Sequence, residues 1–299
     1  MEYTELPHED LPQPYVPAWD ELQAATAEAP FMEASFYLLK EALHWMMVIS
    51  ALRPPTSLDR NRAIIRGMIV RTTKLLRLTM RELNSRETFQ QLSVTRDAVE
   101  TLATLVYLLG DDGTGERFDK YVLNGLVAER EFLRDVQGNI SRRDGKVWPI
   151  EERMQRSIAT MAKAAGIEDV SAIPGRRAIG FPNVEERVKL LGPNAYITYR
   201  MGSVETHGDW TDLLRNHLEY ENGVFSPNLS SAEVRPQNPL MLTILTISVV
   251  VDNLNRIVED VAIASSIKSQ LEELVARASR ADELHESFLQ AAQAKRATA

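Results

Sequence analysis

The placement of proline constrains this chain more than any other feature, because the ring removes a helix hydrogen bond and clashes with the preceding turn. Seven of the fourteen prolines lie at or before Pro55, none occurs from Thr56 to Trp148, and none follows Pro239. Both proline-free windows repeat apolar residues at helical spacing and carry few β signals, so the expected fold class is all-α. The spacing predicts helices over 20–28, 31–52, 57–83, 86–109, 114–137, 150–165, 183–191, 194–207, 209–220, 237–264 and 266–295. Residues 1–18, acidic and proline-rich, are read as an extended arm. Residues 19–299 are read as one multi-helix, bundle-like domain, with a motif-bearing part at 30–260 and C-terminal helices at 237–297.

Several helix ends carry their own chemistry. Pro149 suits a first helical position. Asn183 with Glu186 three residues on has the pattern of a capping box. Gly110 is a C-cap candidate, Gly208 ends a helix and Asp209 caps the next one. Thr114 is a weaker cap candidate, because Arg117 occupies its third position. Two irregular stretches remain, 166–182 and 222–238, the first read as a functional or hinge loop.

Composition excludes whole classes of chemistry. With no cysteine in 299 residues, disulfides, thiolate metal sites and a cysteine nucleophile are absent, as suits a reducing cytoplasm. The N-terminal segment lacks the basic and then apolar pattern of an export signal, so a cytoplasmic location is expected. The longest apolar run, Leu240 to Val251, falls short of the roughly 20 residues that span a bilayer, so no membrane is expected as a partner. Phosphate-loop, dinucleotide and nucleophile-elbow motifs are all missing. The carboxylate-x-x-His spacings at Glu41/His44 and Asp282/His285 are read as coincidence, with no metal and no cofactor expected.

The net charge of −8 hides a basic helix. Between Ser57 and Arg86 eight basic residues stand against Asp59 and Glu82, a local net of +6. Apolar residues from Ile64 to Leu83 gather on one side and the cations on the other. One reading is an RNA grip built from Arg66, Lys74, Arg77 and Arg81, since guanidinium forks match phosphate oxygens. The other is a solvated face paired with the acidic remainder or with a second subunit.

Two polar constellations stand apart from apolar packing. Arg96 and Glu100 lie at i and i+4 on one helix face, where their side chains can pair. Tyr196, Tyr199, Arg200, Ser203 and His207 fall within an arc of about 100° on another helix. In a functional reading His207 is the general acid or base, Arg200 stabilises charge building on a phosphorus, and Ser203 or Tyr199 orients the substrate. In a structural reading His207 only complements its helix dipole, and the Arg–Glu pair fixes helix packing.

At these motifs the chain resembles an uncharacterised bacterial family of helical domains, whose pattern is R-x3-E followed about a hundred residues later by Y-x3-S-x3-H. Arg96 and Glu100 match the first element, and Tyr199, Ser203 and His207 the second. The chain is also similar, more loosely, to the HEPN ribonucleases, helical metal-independent enzymes of toxin and anti-phage systems. Their motif is an Arg and a His with four to six residues between them. Arg200 and His207 have six, although Met201 stands where those enzymes usually have a polar residue. The resemblance implies RNA as partner, a homodimer or other homo-oligomer, and cleavage through the 2′-hydroxyl. Arg200 and His207 would be its reacting pair, with Arg96 and Glu100 orienting them. The competing expectation is a non-catalytic interaction or oligomerisation protein, in which these residues are an internal polar network and a protein partner or second copy covers LMLTILTISVVV.

Overall fold

A computed structural model of the protein describes residues 11–52, 57–85, 91–207, 209–230 and 235–298. It is essentially all-α, as the proline-free windows predict. The helices are α1 (Trp19–Gln23), α2 (Ala29–Ala51), α3 (Arg60–Ser85), α4 (Gln91–Leu109), α5 (Glu116–Ser141), α6 (Pro149–Ala164), α7 (Arg176–Ile179), α8 (Val184–Val188), α9 (Pro193–His207), α10 (Trp210–Asp212), α11 (Gln237–Asp252), α12 (Leu254–Ile257) and α13 (Val261–Thr298). One small hairpin, β1 (Leu218–Glu221) and β2 (Val224–Pro227), interrupts them.

The residues cluster into two compact units. The first comprises the described residues up to Leu58, Arg62–Leu109 and the chain from Val184 onward; the second comprises Asp59–Asn61 and Gly110–Asn183.

In the first unit α2, α4, α11 and α13 form the core. Along α13 the buried positions Ile267, Leu271, Leu274, Ala278, Ala281 and His285 alternate steps of four and three residues, a spacing that keeps one seam facing inward. Phe31, Leu38, Trp45 and Ile49 of α2 are buried in the same unit. The apolar segment of α11 packs on α2, α4 and α13 of its own chain, which buries Leu240, Leu242, Ile247, Val249 and Val250. Burial of apolar side chains drives this packing, at about 1.5–3 kcal/mol for each fully buried Leu, Ile or Phe.

The second unit packs α5 against α6 and the 166–182 stretch. Leu126, Val127, Ile158 and Ala162 meet Val170, Ile173 and Ile179 from that stretch. Pro149 opens α6, and Glu151 accepts a hydrogen bond from the Trp148 N–H at 2.9 Å. Its carboxyl is held below the usual range by its hydrogen bond to Arg143 and then by that N–H. Before α5, the Asp111 carboxylate collects the N–H groups of Gly113, Gly115 and Arg117, and these bonds lower its pKa.

Three expectations about element ends are corrected. The helix read over 20–28 stops at Gln23. No helix fills 209–220. Asp209 does cap α10 by accepting the N–H groups of Thr211 and Asp212, but a π-helical turn over Leu213–His217 then leads directly into β1. Leu218–Tyr220 alternates with Glu219–Glu221, and Asn222 and Gly223 take φ of 51° and 84°. Asn-Gly with positive φ at both positions is the preferred two-residue hairpin turn. The helix expected over 237–264 stops at Asp252, and after the short α12 the last break falls at 258–260 rather than at 265. Asp260 makes it, its carboxylate accepting the N–H groups of Ala262 and Ile263 to start α13. Among the described residues no helix is long and apolar enough to cross a membrane.

Candidate functional site

The second constellation is built on α9, which packs closely against α4 because of one glycine. A Cβ added at Gly202 would lie 2.3 Å from the Leu92 carbonyl oxygen and 2.6 Å from the Arg96 Cβ. Only a residue with no side chain lets the two helices approach so far. Around this crossing Val99 and Ala103 of α4, Val188 of α8 and Ala195 of α9 are buried together, with Tyr196 and Tyr199 packed on them.

The helix crossing separates Arg96 from Glu100. Arg96 turns to α9, its guanidinium carbon 5.1 Å from the centre of the Tyr199 ring and its Nη2 3.5 Å from the Tyr199 hydroxyl. Its Nε is buried with no hydrogen-bond partner among the described residues. Glu100 turns instead to Arg187 of α8, 3.6 Å away. Arg187 is itself buried and donates to Thr104, whose hydroxyl donates to the Glu100 carbonyl at 2.8 Å. The R-x3-E motif is therefore divided between two neighbours, one on α9 and one on α8.

On α9, the Ser203 hydroxyl donates to the Tyr199 carbonyl at 3.1 Å, a bond within its own helix that leaves an acceptor lone pair. Thr206 donates to Gly202 and also reaches Ser93 of α4 at 3.3 Å. Arg200 is exposed and stands near Glu185 of α8. Lys189 holds the Glu185 carboxyl below the usual range by a hydrogen bond and by its charge, to which Tyr196 and Arg200 add. The backbone of His207 ends α9; its side chain lies outside the described residues, as does Gly208. Arg200 and His207 are seven residues apart, two turns along the helix, so their positions share one side of α9.

The basic helix α3 splits into two halves. Arg62 faces Glu259 at 3.6 Å, Arg66 donates to the Ile49 carbonyl near the end of α2 at 2.9 Å, and Arg71 reaches Thr101 at 3.0 Å and Asp97 at 3.9 Å. Lys74, Arg77 and Arg81 are exposed, with no ion pair or hydrogen bond to another described residue. They fall within about 60° of one another and span about 10 Å of helix. Arg66 of the expected RNA set is thus tied to the end of α2, and Arg86 lies outside the described residues.

Sequence reasoning missed two groups beside α9. Asp212, buried, is engaged by Asn216 at 2.8 Å and by His217 at 3.6 Å across the π-helical turn; turns of this kind often accompany functional sites. The D-x4-H spacing was the available signal. The hairpin then brings Trp210, Tyr220 and Phe225 together, with ring centres 5.7 and 4.5 Å apart. All three rings remain at least half exposed, and the Asn222–Gly223 dipeptide would have disclosed the hairpin that carries two of them.

The described residues contain no group of three or more acidic or histidine side chains placed to hold a metal. Glu41, from one of the carboxylate-x-x-His spacings, is fully engaged by Arg277. In comparison with known proteins, a model of a family of unknown function, DUF5677, matches residues 62–225, more than half of the chain. No curated protein and no solved structure matches it significantly.

Proposed function

The chain belongs to this family of unknown function, and we propose that it is an RNA-directed, metal-independent endoribonuclease similar to HEPN enzymes. The single observation that carries the reading is the free half of α3. Lys74, Arg77 and Arg81 stay exposed and unengaged in a chain of net charge −8, whereas Arg60, Arg62, Arg66 and Arg71 of that helix each have a partner. Unneutralised cations in a row bind a phosphate backbone by releasing its counterions.

In this proposal Arg200 and His207 perform the chemistry on α9. His207 removes the proton of a ribose 2′-hydroxyl, the 2′-oxygen attacks the adjacent phosphorus, and the bond to the 5′-oxygen breaks as that oxygen takes up a proton. Arg200 stabilises the charge on the phosphoryl oxygens. The products are a 2′,3′-cyclic phosphate and a 5′-hydroxyl, so neither water nor metal enters the step. Arg96 and Glu100 act at a distance here, Arg96 by holding α9 and Glu100 by holding α8 against α4.

A second reading, a non-catalytic interaction protein, is favoured by the close packing at Gly202 and by the consumption of Glu100 in an internal pair. One experiment separates the two. Wild type, Arg200→Ala and His207→Ala are incubated with bulk RNA in excess EDTA, and each is melted in parallel. The proposal expects cleavage by wild type alone, with closely similar melting of all three. It also expects RNA affinity to fall with salt at a log–log slope near −2, for three contacts on a single strand at about −0.7 each, and the slope to vanish in a Lys74→Glu, Arg77→Glu, Arg81→Glu variant. Intact RNA with a destabilised His207→Ala assigns the motif to structure.

A further inference from the structure

A second candidate site lies in the first unit, on α2 and the chain that precedes it. The described part of the arm crosses α2 and is fastened there. The Tyr15 N–H donates to Glu41 at 2.8 Å, Arg277 of α13 clamps both Glu41 oxygens at 2.8 and 2.7 Å, and the same guanidinium donates to the Tyr15 carbonyl. Between the fastened strap and the helix is a cavity of 530 Å³, within the range of small-molecule sites.

Its walls divide by chemistry. Leu11, Pro12, Met47 and Val48 supply an apolar floor. The rings of Tyr15 and Tyr37 stand 4.9 Å apart, tilted by 31°, and both line the space. Lys40 and His44, one turn apart on α2, are the basic groups of the lining. Glu41 does not oppose an incoming anion, because its charge is already neutralised by Arg277. The Lys40 ammonium lies 5.9 Å from the Tyr37 ring centre, and neither Lys40 nor His44 makes an ion pair or hydrogen bond to another described residue. Burial, followed by the charge of Glu33, raises the Tyr15 pKa.

We infer that this strapped cavity binds a small organic anion with a flat ring, the ring against Tyr15 and Tyr37 and its phosphate or carboxylate on Lys40 and His44. Two probes represent the two sources of that chemistry, adenosine 5′-monophosphate and 4-hydroxybenzoate, each titrated calorimetrically into the full chain. Saturable one-site binding of either one supports the inference and identifies the anionic group. Lys40→Glu and His44→Ala are each expected to weaken it tenfold or more with unchanged melting, and Tyr37→Leu to weaken it severalfold. Adenosine and inorganic phosphate alone are expected to bind at least tenfold more weakly than the nucleotide. The inference is overturned if neither probe saturates below about 5 mM, an affinity near −3 kcal/mol, if binding survives the Lys40→Glu, His44→Ala double variant, or if the nucleotide binds and phosphate alone binds as well. These variants lie away from α9, so their outcome is independent of RNA cleavage.

Discussion

Two partly buried arginines in the first unit are handled in opposite ways. Arg277 meets Glu41 through two well-aligned bonds, gives a third to the Tyr15 carbonyl, and leaves Glu41 to accept the Tyr15 N–H as well. Arg96 rests on the Tyr199 ring, reaches its hydroxyl only at 3.5 Å, and keeps a buried Nε without a partner. A fully satisfied charged node rigidifies a fold, whereas an unsatisfied one holds bonding capacity that packing has not used. The first arginine is a staple between distant parts of the chain. The second lies on the seam that carries the proposed reacting pair.

The largest effect is expected at the staple. Arg277→Ala leaves the Glu41 carboxylate buried and unpaired, which costs about 3–5 kcal/mol, measured by urea unfolding. A loss below 1 kcal/mol would mean the node is more solvated than its burial implies, and the contrast would collapse. Next is the seam itself. Gly202→Ala forces α9 off the Leu92 carbonyl and should cost about 1–3 kcal/mol, whereas Gly67→Ala on α3, with open space around it, should stabilise by about 0.5–1 kcal/mol through helix propensity. Equal effects at the two glycines would refute the close crossing.

Arg96→Met keeps the contact with Tyr199 while removing the unsatisfied Nε, so stability should change by no more than about 1 kcal/mol. A loss comparable to that of Arg277→Ala would show the two arginines to be equivalent. The smallest effect concerns His285, 1% exposed between Phe31 and Phe288. Burial lowers its pKa from 6.5, against the opposing pull of Glu28. The unfolded chain therefore binds the proton more readily, and the stability that neutral His285 contributes is full above pH 6.5 and lost as pH falls below it. Asp282 runs the other way. Burial raises its pKa above 3.8, so its contribution is full below that value and declines as pH rises. Melting curves from pH 7.5 to 5.5 should show His285→Leu gaining on wild type as pH falls; a constant difference would mean that His285 does not titrate in that window.

Much of this architecture is legible along the chain. The proline gaps, the Pro149 start and the Asp209 cap act within one helical turn, and each stands where residue chemistry places it. The hairpin was also legible, in Asn222–Gly223 and the Glu219–Glu221 alternation, but helical spacing across 209–220 competes with it. At the site, the arc from Tyr196 to His207 follows from helix periodicity alone, and α9 runs through all of it. The partners of that arc do not follow, because i,i+4 geometry allows Arg96 to pair with Glu100 as readily as with a neighbouring helix.

What the sequence determined by itself is the short-range part: a helical chain, most of its helix boundaries, and one basic helix in an acidic protein. Tertiary structure alone decided which charges are used. It joined Glu41 to Arg277 across 236 residues, gave Arg66 and Arg71 partners while leaving Lys74, Arg77 and Arg81 without one, and brought α4 tightly against Gly202. The physical reason is range. Periodicity and capping depend on neighbours a turn away, whereas the partner of a charge is whichever group apolar burial brings alongside it, at a separation that local geometry does not encode.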